Sequence, residues 1–177
     1  TYEALSWTLT AHEGRPGHEL QFAPLIEKGV SKARAIFAFN SANVEGWALY
    51  AEAEIQPYLP LEGQLGALQS RLMRAARAIL DPGLQMGKIT PEEATRILRE
   101  EVVLSEGMAL QEVQRYTFRS PGQATAYFCG YTRLMELRHR LHAGEEITLT
   151  DGGEGVARVV PQPPPGRPTA PRQPGSA

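Results

Sequence analysis

Apolar residues recur along most of the chain at intervals of three and four, the spacing that marks one face of an α-helix. Two segments also combine Ser or Thr, Pro, and an acidic or amide residue in the order that starts a helix. We therefore expect an all-α domain. The predicted helices cover about residues 2–10, 43–52, 61–80 and 105–118, with further starts at Thr90-Pro91-Glu92-Glu93 and Ser120-Pro121-Gly122-Gln123.

The helical pattern ends near residue 141. No aromatic residue follows Tyr131, and seven of the fourteen prolines fall within residues 161–177. Such a composition cannot bury enough apolar surface to order itself. We predict a domain over residues 1–140 and a tail over residues 141–177 that is disordered or out of frame.

The stretch HEGRPGHELQ contains two imidazoles and a carboxylate that suit a metal site. Neutral imidazole is a common zinc ligand, and the neighbouring Glu13 could take a proton from water. Six residues separate His12 from His18, so an unbroken helix would point them about 120° apart. Pro16 and Gly17 can break the helix and return the second ring to the first. The alternative is a helix ended by Pro-Gly, with two unrelated surface histidines.

A second stretch, NVEGWALYAE, adds two carboxylates seven residues apart and therefore on one helical face. Carboxylates on a largely apolar face are costly unless they are paired or metal-bound. Glu45 would complete the set of two His and one carboxylate that catalytic zinc sites use, with a position open for water. Glu52 would then orient a ligand histidine. The alternative places both carboxylates on a solvated face.

These two stretches, followed by SPGQATAYFCGYTRLMELR, resemble the DUF885 group of bacterial proteins over about residues 1–140. The resemblance implies a helical, zincin-like zinc metallopeptidase of the gluzincin kind that acts on a peptide substrate. It also implies that the chain is the C-terminal part of a larger protein, with an N-terminal half as its partner. The implied ligands of Zn²⁺ are His12, His18 and Glu45, and the implied general base is Glu13.

Other side chains are candidates for contact with a substrate. A zinc peptidase needs a donor for the oxyanion. The resemblance points to Tyr127, with Tyr131 one turn later as the alternative, although an aromatic stripe is most often core. Arg115 and Tyr116 resemble a family motif with Glu112, and they would either bind substrate or form an internal Arg–Glu pair.

The helix predicted before Asp81-Pro82-Gly83 has two kinds of face. Six apolar residues mark one stripe, while three arginines fall elsewhere, which is typical of a solvated face; the alternative is contact with a substrate carboxylate. The single cysteine, Cys129, is expected to be a small buried residue. The stripe is Leu61, Leu65, Leu68, Leu72, Ala75 and Ile79, and the arginines are Arg71, Arg74 and Arg77.

Composition narrows the function classes. The net charge of −2 offers no basic field for nucleic acid, and no apolar run approaches the length of a membrane span. The chain starts at Thr1 without a signal-like segment, so we expect a cytoplasmic protein unless a targeting signal upstream is missing. The sequence thus predicts zinc-dependent peptide hydrolysis, with manganese or cobalt as other possible metals. The rivals are a metal-storing helical bundle and a non-catalytic fragment.

Overall fold

The computed structural model describes residues 3–37, 39–151 and 153–161. The chain divides into two compact units, Thr1–Met135 and Glu136–Ala177. A short 3₁₀ turn covers Gln56–Tyr58, and a π-helical turn covers Arg115–Arg119. The elements are α1 (Glu3–Glu13), α2 (His18–Lys28), α3 (Lys32–Phe37), α4 (Ser41–Ile55), α5 (Leu61–Gln85), α6 (Pro91–Glu100), α7 (Glu106–Gln114), α8 (Thr125–His142), β1 (Ile147–Asp151) and β2 (Glu154–Val159).

The helical prediction is confirmed up to residue 142 within the described part of the chain. The predicted cap of α6 is present, since the Thr90 hydroxyl accepts a hydrogen bond from the backbone N–H of Glu93 at 3.2 Å. Ser105 caps α7 in the same way through Met108. Each cap satisfies a backbone donor that the first helical turn leaves free.

Two predicted helix boundaries are wrong. Pro82 does not end α5, which continues to Gln85, and α8 begins at Thr125 rather than just after Ser120. The fully buried carboxylate of Asp81 accepts hydrogen bonds from the backbone N–H groups of Gly122 (2.8 Å) and Ala124 (3.0 Å). A tertiary contact therefore organises the start of α8, where sequence pattern suggested a local cap.

The main hydrophobic core lies where the C-terminal half of α5 meets α6, α7 and the π-helical turn. Buried apolar side chains supply the dominant favourable term in folding, and here they come from all four elements. This core fixes the elements that carry Glu112 and Arg115. Its buried members are Leu80, Ala94, Leu98, Val102, Leu104, Ala109, Val113, Tyr116 and Ala124.

The apolar stripe predicted for α5 is not the face that the helix buries. The predicted apolar stripe is largely exposed, with Leu61 at 78% and Leu65 at 70%, whereas Arg77 is buried. The solvated arginine face predicted from the sequence is therefore wrong. Despite that apolar surface, none of the described helices is both long and apolar enough to cross a membrane.

Helices α4 and α8 approach each other backbone to backbone at two glycines. A Cβ on Gly46 would lie 2.5 Å from the Cα of Gly130, and a Cβ on Gly130 would lie 1.9 Å from the carbonyl oxygen of Ala42. Only residues without a side chain fit at this distance. Glu45 immediately precedes one glycine and Tyr127 lies three residues before the other, so the crossing brings both to one place.

The second unit contains structure that the sequence did not predict. Strands β1 and β2 form an antiparallel hairpin, in which Ile147 pairs with Val159 and Leu149 with Ala157. The prediction of a disordered tail is wrong for this segment. Residues 162–177, which hold most of the prolines behind that prediction, lie outside the described residues.

Candidate metal centre

The turn between α1 and α2 folds back on the end of α1. The Arg15–Pro16 peptide bond is cis, and a Cβ on Gly17 would lie 1.9 Å from the carbonyl oxygen of His12. Trp47 on α4 donates its indole N–H to the carbonyl oxygens of Pro16 (3.0 Å) and Gly17 (3.2 Å). The predicted break of the helix at Pro16-Gly17 is therefore present, and Trp47 stabilises it through these hydrogen bonds.

The turn at Pro16-Gly17 brings the two imidazoles together. The ring centroids of His12 and His18 are 4.8 Å apart, and the alternative of two unrelated surface histidines is wrong. Glu45 Oε2 lies 3.5 Å from His12 Nε2 and 3.8 Å from His18 Nε2. One ligand atom from each of the three residues lies within 4.8 Å of the others. Bond lengths of 2.0–2.1 Å around tetrahedral zinc place neighbouring ligand atoms about 3.4 Å apart, so the cluster suits the ion.

A buried carboxylate orients the first imidazole. Glu52 is 2% exposed, and its Oε1 lies 2.7 Å from His12 Nδ1. Arg74 Nη2 donates to the same oxygen at 3.1 Å. In the neutral ring that a metal requires, Nδ1 therefore carries the proton and Nε2 presents its lone pair to Glu45 and His18. The alternative of a solvated Glu52 is wrong.

The close contacts also set the protonation of the cluster. Burial alone lowers the pKa of His12, but hydrogen bonds with Glu45 and Glu52 outweigh it and raise the pKa to about 9. Burial raises the pKa of Glu45, but hydrogen bonds with His12 and Tyr127 and the nearby histidine charges lower it overall. Without metal, a proton on His12 holds the cluster together, and a metal must displace that proton.

Metal-free protein should lose stability as the pH rises from 6.5 through 9. The folded pKa of His12, about 9, lies above the ordinary value of 6.5, so protonated His12 stabilises the fold fully below pH 6.5. The contribution, on the order of 3 kcal/mol, shrinks above that pH and is lost beyond pH 9. Urea unfolding at a series of pH values measures it. The variant His12→Ala should lack this slope, and identical slopes in the two proteins would contradict the ion pairing.

Tyr127 lies against the cluster, as the sequence predicted, although its part in catalysis stays a prediction. Its ring is stacked on that of His12 with a centroid distance of 6.4 Å. Arg77 lies over the same ring at 5.1 Å, and Arg115 donates to the hydroxyl at 3.1 Å. Since that hydroxyl oxygen accepts from Arg115, its own proton is free to turn towards Glu45 or a ligand.

The remaining candidates have different surroundings. Tyr116 is fully buried and donates its hydroxyl to Glu112 at 2.8 Å, so it positions Glu112 and does not face a cavity. Tyr131 packs against Arg71, whose guanidinium lies 5.6 Å from the ring centre. Glu13 ends α1 and is exposed. Its role as general base rests on its place beside His12 and stays a prediction.

Two expectations about single residues fail. Cys129 is exposed rather than buried. Two of the three arginines of α5 pair with carboxylates inside the fold: Arg77 makes two hydrogen bonds of 2.6 Å to Glu112, and Arg74 binds Glu52. The third, Arg71, donates to the amide oxygen of Gln56 at 2.6 Å. The signal that could have revealed these arginines is the requirement that Glu52, on a largely apolar face, must find a partner.

Comparison with known proteins finds relatives of unknown function. The sequence profile of DUF885, described as a bacterial protein of unknown function, matches residues 2–151. A predicted lipoprotein of unknown function from Shewanella oneidensis is 27% identical, with a TM-score of 0.70 over 78% of this chain and 26% of its own. A predicted lipoprotein from Colwellia psychrerythraea is 35% identical, with a TM-score of 0.71 over 80% and 25%. No curated protein matches significantly. The chain spans about a quarter of the length of these solved relatives.

Proposed function

We propose that this chain, which belongs to the DUF885 family of bacterial proteins of unknown function, carries the metal site of a zinc-dependent peptidase. The observation that carries the proposal is the convergence of His12, His18 and Glu45, with Glu52 holding the first imidazole from behind. Two imidazoles and one carboxylate with room for a fourth ligand form the donor set of catalytic zinc sites. A site that only stores metal has less need of an oriented ligand beside a potential base.

Each residue of the site has its own role in the proposed hydrolysis. A bound zinc ion would polarise the scissile carbonyl and lower the pKa of a water molecule. Glu13 takes a proton from the attacking water and delivers it to the leaving amine. Tyr127 donates a hydrogen bond to the carbonyl oxygen as negative charge develops there. Arg115 steadies the phenol through the 3.1 Å hydrogen bond to its oxygen.

The experiment that tests this proposal replaces the base and keeps the metal. Glu13→Gln should lower kcat for peptide cleavage by about 10²–10⁴-fold, while the zinc content stays that of wild type. The change removes only the ability to accept a proton, because glutamine has nearly the same shape. Cleavage of a mixed peptide library, followed by mass spectrometry, measures the loss alongside zinc content.

A matched control is Glu19→Gln, which alters another exposed glutamate next to a ligand, on α2. It should leave cleavage unchanged, because Glu19 pairs with Arg15 at the surface. Full activity in Glu13→Gln would contradict the assigned base. Cleavage absent from wild type would favour the second candidate.

That second candidate is a metal-binding module that does not cleave peptides by itself. It is favoured by the relatives' lengths, because the chain matches only about a quarter of each solved protein. The other three quarters would then supply the walls of the substrate cleft. The metal site would be the same in both cases, and only the cleavage assay separates them.

We infer a location outside the cytoplasm, at a membrane to which a lipid anchor attaches the protein. The support is that both solved relatives are described as lipoproteins. The cytoplasmic location expected from the sequence has no such support. Fractionation of cells that produce the full-length protein, with the membrane fraction as the expected place, tests the inference.

A further inference from the structure

A polar cavity of about 540 Å³ adjoins the metal cluster. Glu45 and Tyr127, which belong to the cluster, form part of its wall. Arg115 and Arg119, which begin and end the π-helical turn, form another part together with Gln123. The cavity therefore presents two guanidinium groups next to the place where a substrate bond would be cleaved.

The acidic side chains of this cavity are already neutralised within the fold. Glu112 accepts two hydrogen bonds from Arg77 and one from Tyr116. Glu45 faces the two histidines of the cluster. The direct contacts of both wall carboxylates thus go to groups other than the arginines of the turn.

The two arginines of the turn, by contrast, make no hydrogen bond or ion pair with a carboxylate among the described residues, although the charge of Arg115 helps to lower the pKa of Glu112. Arg115 donates to neutral oxygens, at 2.5 Å to Gln123 Oε1 and 3.1 Å to the Tyr127 hydroxyl. The side chain of Arg119 is exposed and makes no hydrogen bond or ion pair with the described part of the chain. The cavity consequently carries an excess of positive charge that a ligand can neutralise.

We propose that Arg115 and Arg119 form a subsite for a carboxylate of the substrate, so that the protein acts on peptides with a negative charge near the cleaved bond. The guanidinium group matches a carboxylate through two parallel hydrogen bonds. The carboxylate is either the free C-terminus of the peptide or an Asp or Glu side chain. That the substrate is a peptide rests on the proposed function. That it carries a carboxylate rests on the two arginines of the cavity.

Binding of four short peptides tests the subsite without relying on cleavage. The protein carries Glu13→Gln, so that bound peptides persist, and is supplied with zinc. One pair of probes is acetyl-Ala-Ala-Ala with a free carboxylate or a C-terminal amide. The other is acetyl-Ala-Glu-Ala-amide or its Gln counterpart. Isothermal titration calorimetry should show about tenfold tighter binding of the acid in at least one pair. The pair that responds identifies the source of the carboxylate.

The variant that tests the residues is Arg119→Gln, which removes an exposed side chain without a partner among the described residues. It should reduce the acid preference at least about threefold. Arg99→Gln, on an exposed arginine of α6, is the matched control and should leave the preference intact. Equal affinities within both pairs, an unchanged preference in Arg119→Gln, or no binding of any peptide overturns the subsite.

The outcomes separate this inference from the proposed function. If the acidic peptides bind more tightly but the wild type cleaves no peptide, the subsite is supported and the proposed peptidase function is contradicted. If the wild type cleaves acidic and neutral peptides equally well, the peptidase function is supported and the subsite is contradicted.

Discussion

Replacing Gly130 with alanine should lower the free energy of unfolding by about 3 kcal/mol or more and pull Glu45 away from its partners. The new Cβ would lie 1.9 Å from the carbonyl oxygen of Ala42 and 2.8 Å from the Cα of Gly46. Both obstacles are backbone atoms, so no side chain can rotate away. Helices α4 and α8 must separate, and the crossing that brings Glu45 and Tyr127 together is lost.

Urea unfolding and zinc binding of the same variant measure the two effects. Gly107→Ala is the matched control, because a Cβ there meets nothing within 4 Å and the position lies in α7. It should stabilise the protein by about 0.5–1 kcal/mol through helix propensity. A Gly130→Ala protein with wild-type stability and normal zinc binding would contradict the close crossing.

Replacing Arg77 with methionine should cost about 3–5 kcal/mol, because it leaves a buried carboxylate without its counter-ion. Arg77 and Glu112 are both largely buried and share two hydrogen bonds of 2.6 Å. Arg77 lowers the pKa of Glu112 against the opposite effect of burial. The variant should therefore also show a raised pKa for Glu112.

Urea unfolding tests this cost against two comparisons. Arg96→Met breaks an exposed pair with Glu100 on α6 and should leave stability close to that of wild type. The double variant Arg77→Met/Glu112→Leu removes both charges and should recover much of the loss, since the unpaired charge is the main cost. An Arg77→Met protein as stable as Arg96→Met would show that the pair is not buried as described.

The turn and the meeting of the two histidines were predictable because they follow from local rules. A six-residue separation cannot present His12 and His18 on one face of a helix, and Pro16-Gly17 is where the backbone can depart from it. Glu45 was added to them as the carboxylate that a zinc site would need, and it lies beside both rings. Each step uses residues near each other in sequence or a fixed chemical preference.

The arginines of α5 and the start of α8 were not predictable in this way. Spacing cannot distinguish a solvated arginine from one buried against a distant carboxylate, as Arg77 is against Glu112. Asp81 likewise caps backbone groups more than forty residues later. Tertiary partners decided these positions against the local pattern.

The hairpin was not predicted because the proline-rich end of the chain dominates the composition of residues 141–177. Ile147 and Leu149 alternate with threonines, which is a strand pattern. Leu149 pairs with Ala157 and Thr150 with Gly155, so Val156 is an extra residue on the partner strand. This bulge interrupts the alternation of side chains there.

The most direct test of the metal centre is the zinc content of purified protein after dialysis, measured by mass spectrometry. Wild type and His139→Ala, which alters an exposed histidine of α8, should each hold about one zinc ion per chain. His12→Ala and His18→Ala should hold almost none, because each loses one of three protein ligands. Equal zinc in all four proteins, or none in the wild type, would contradict the site.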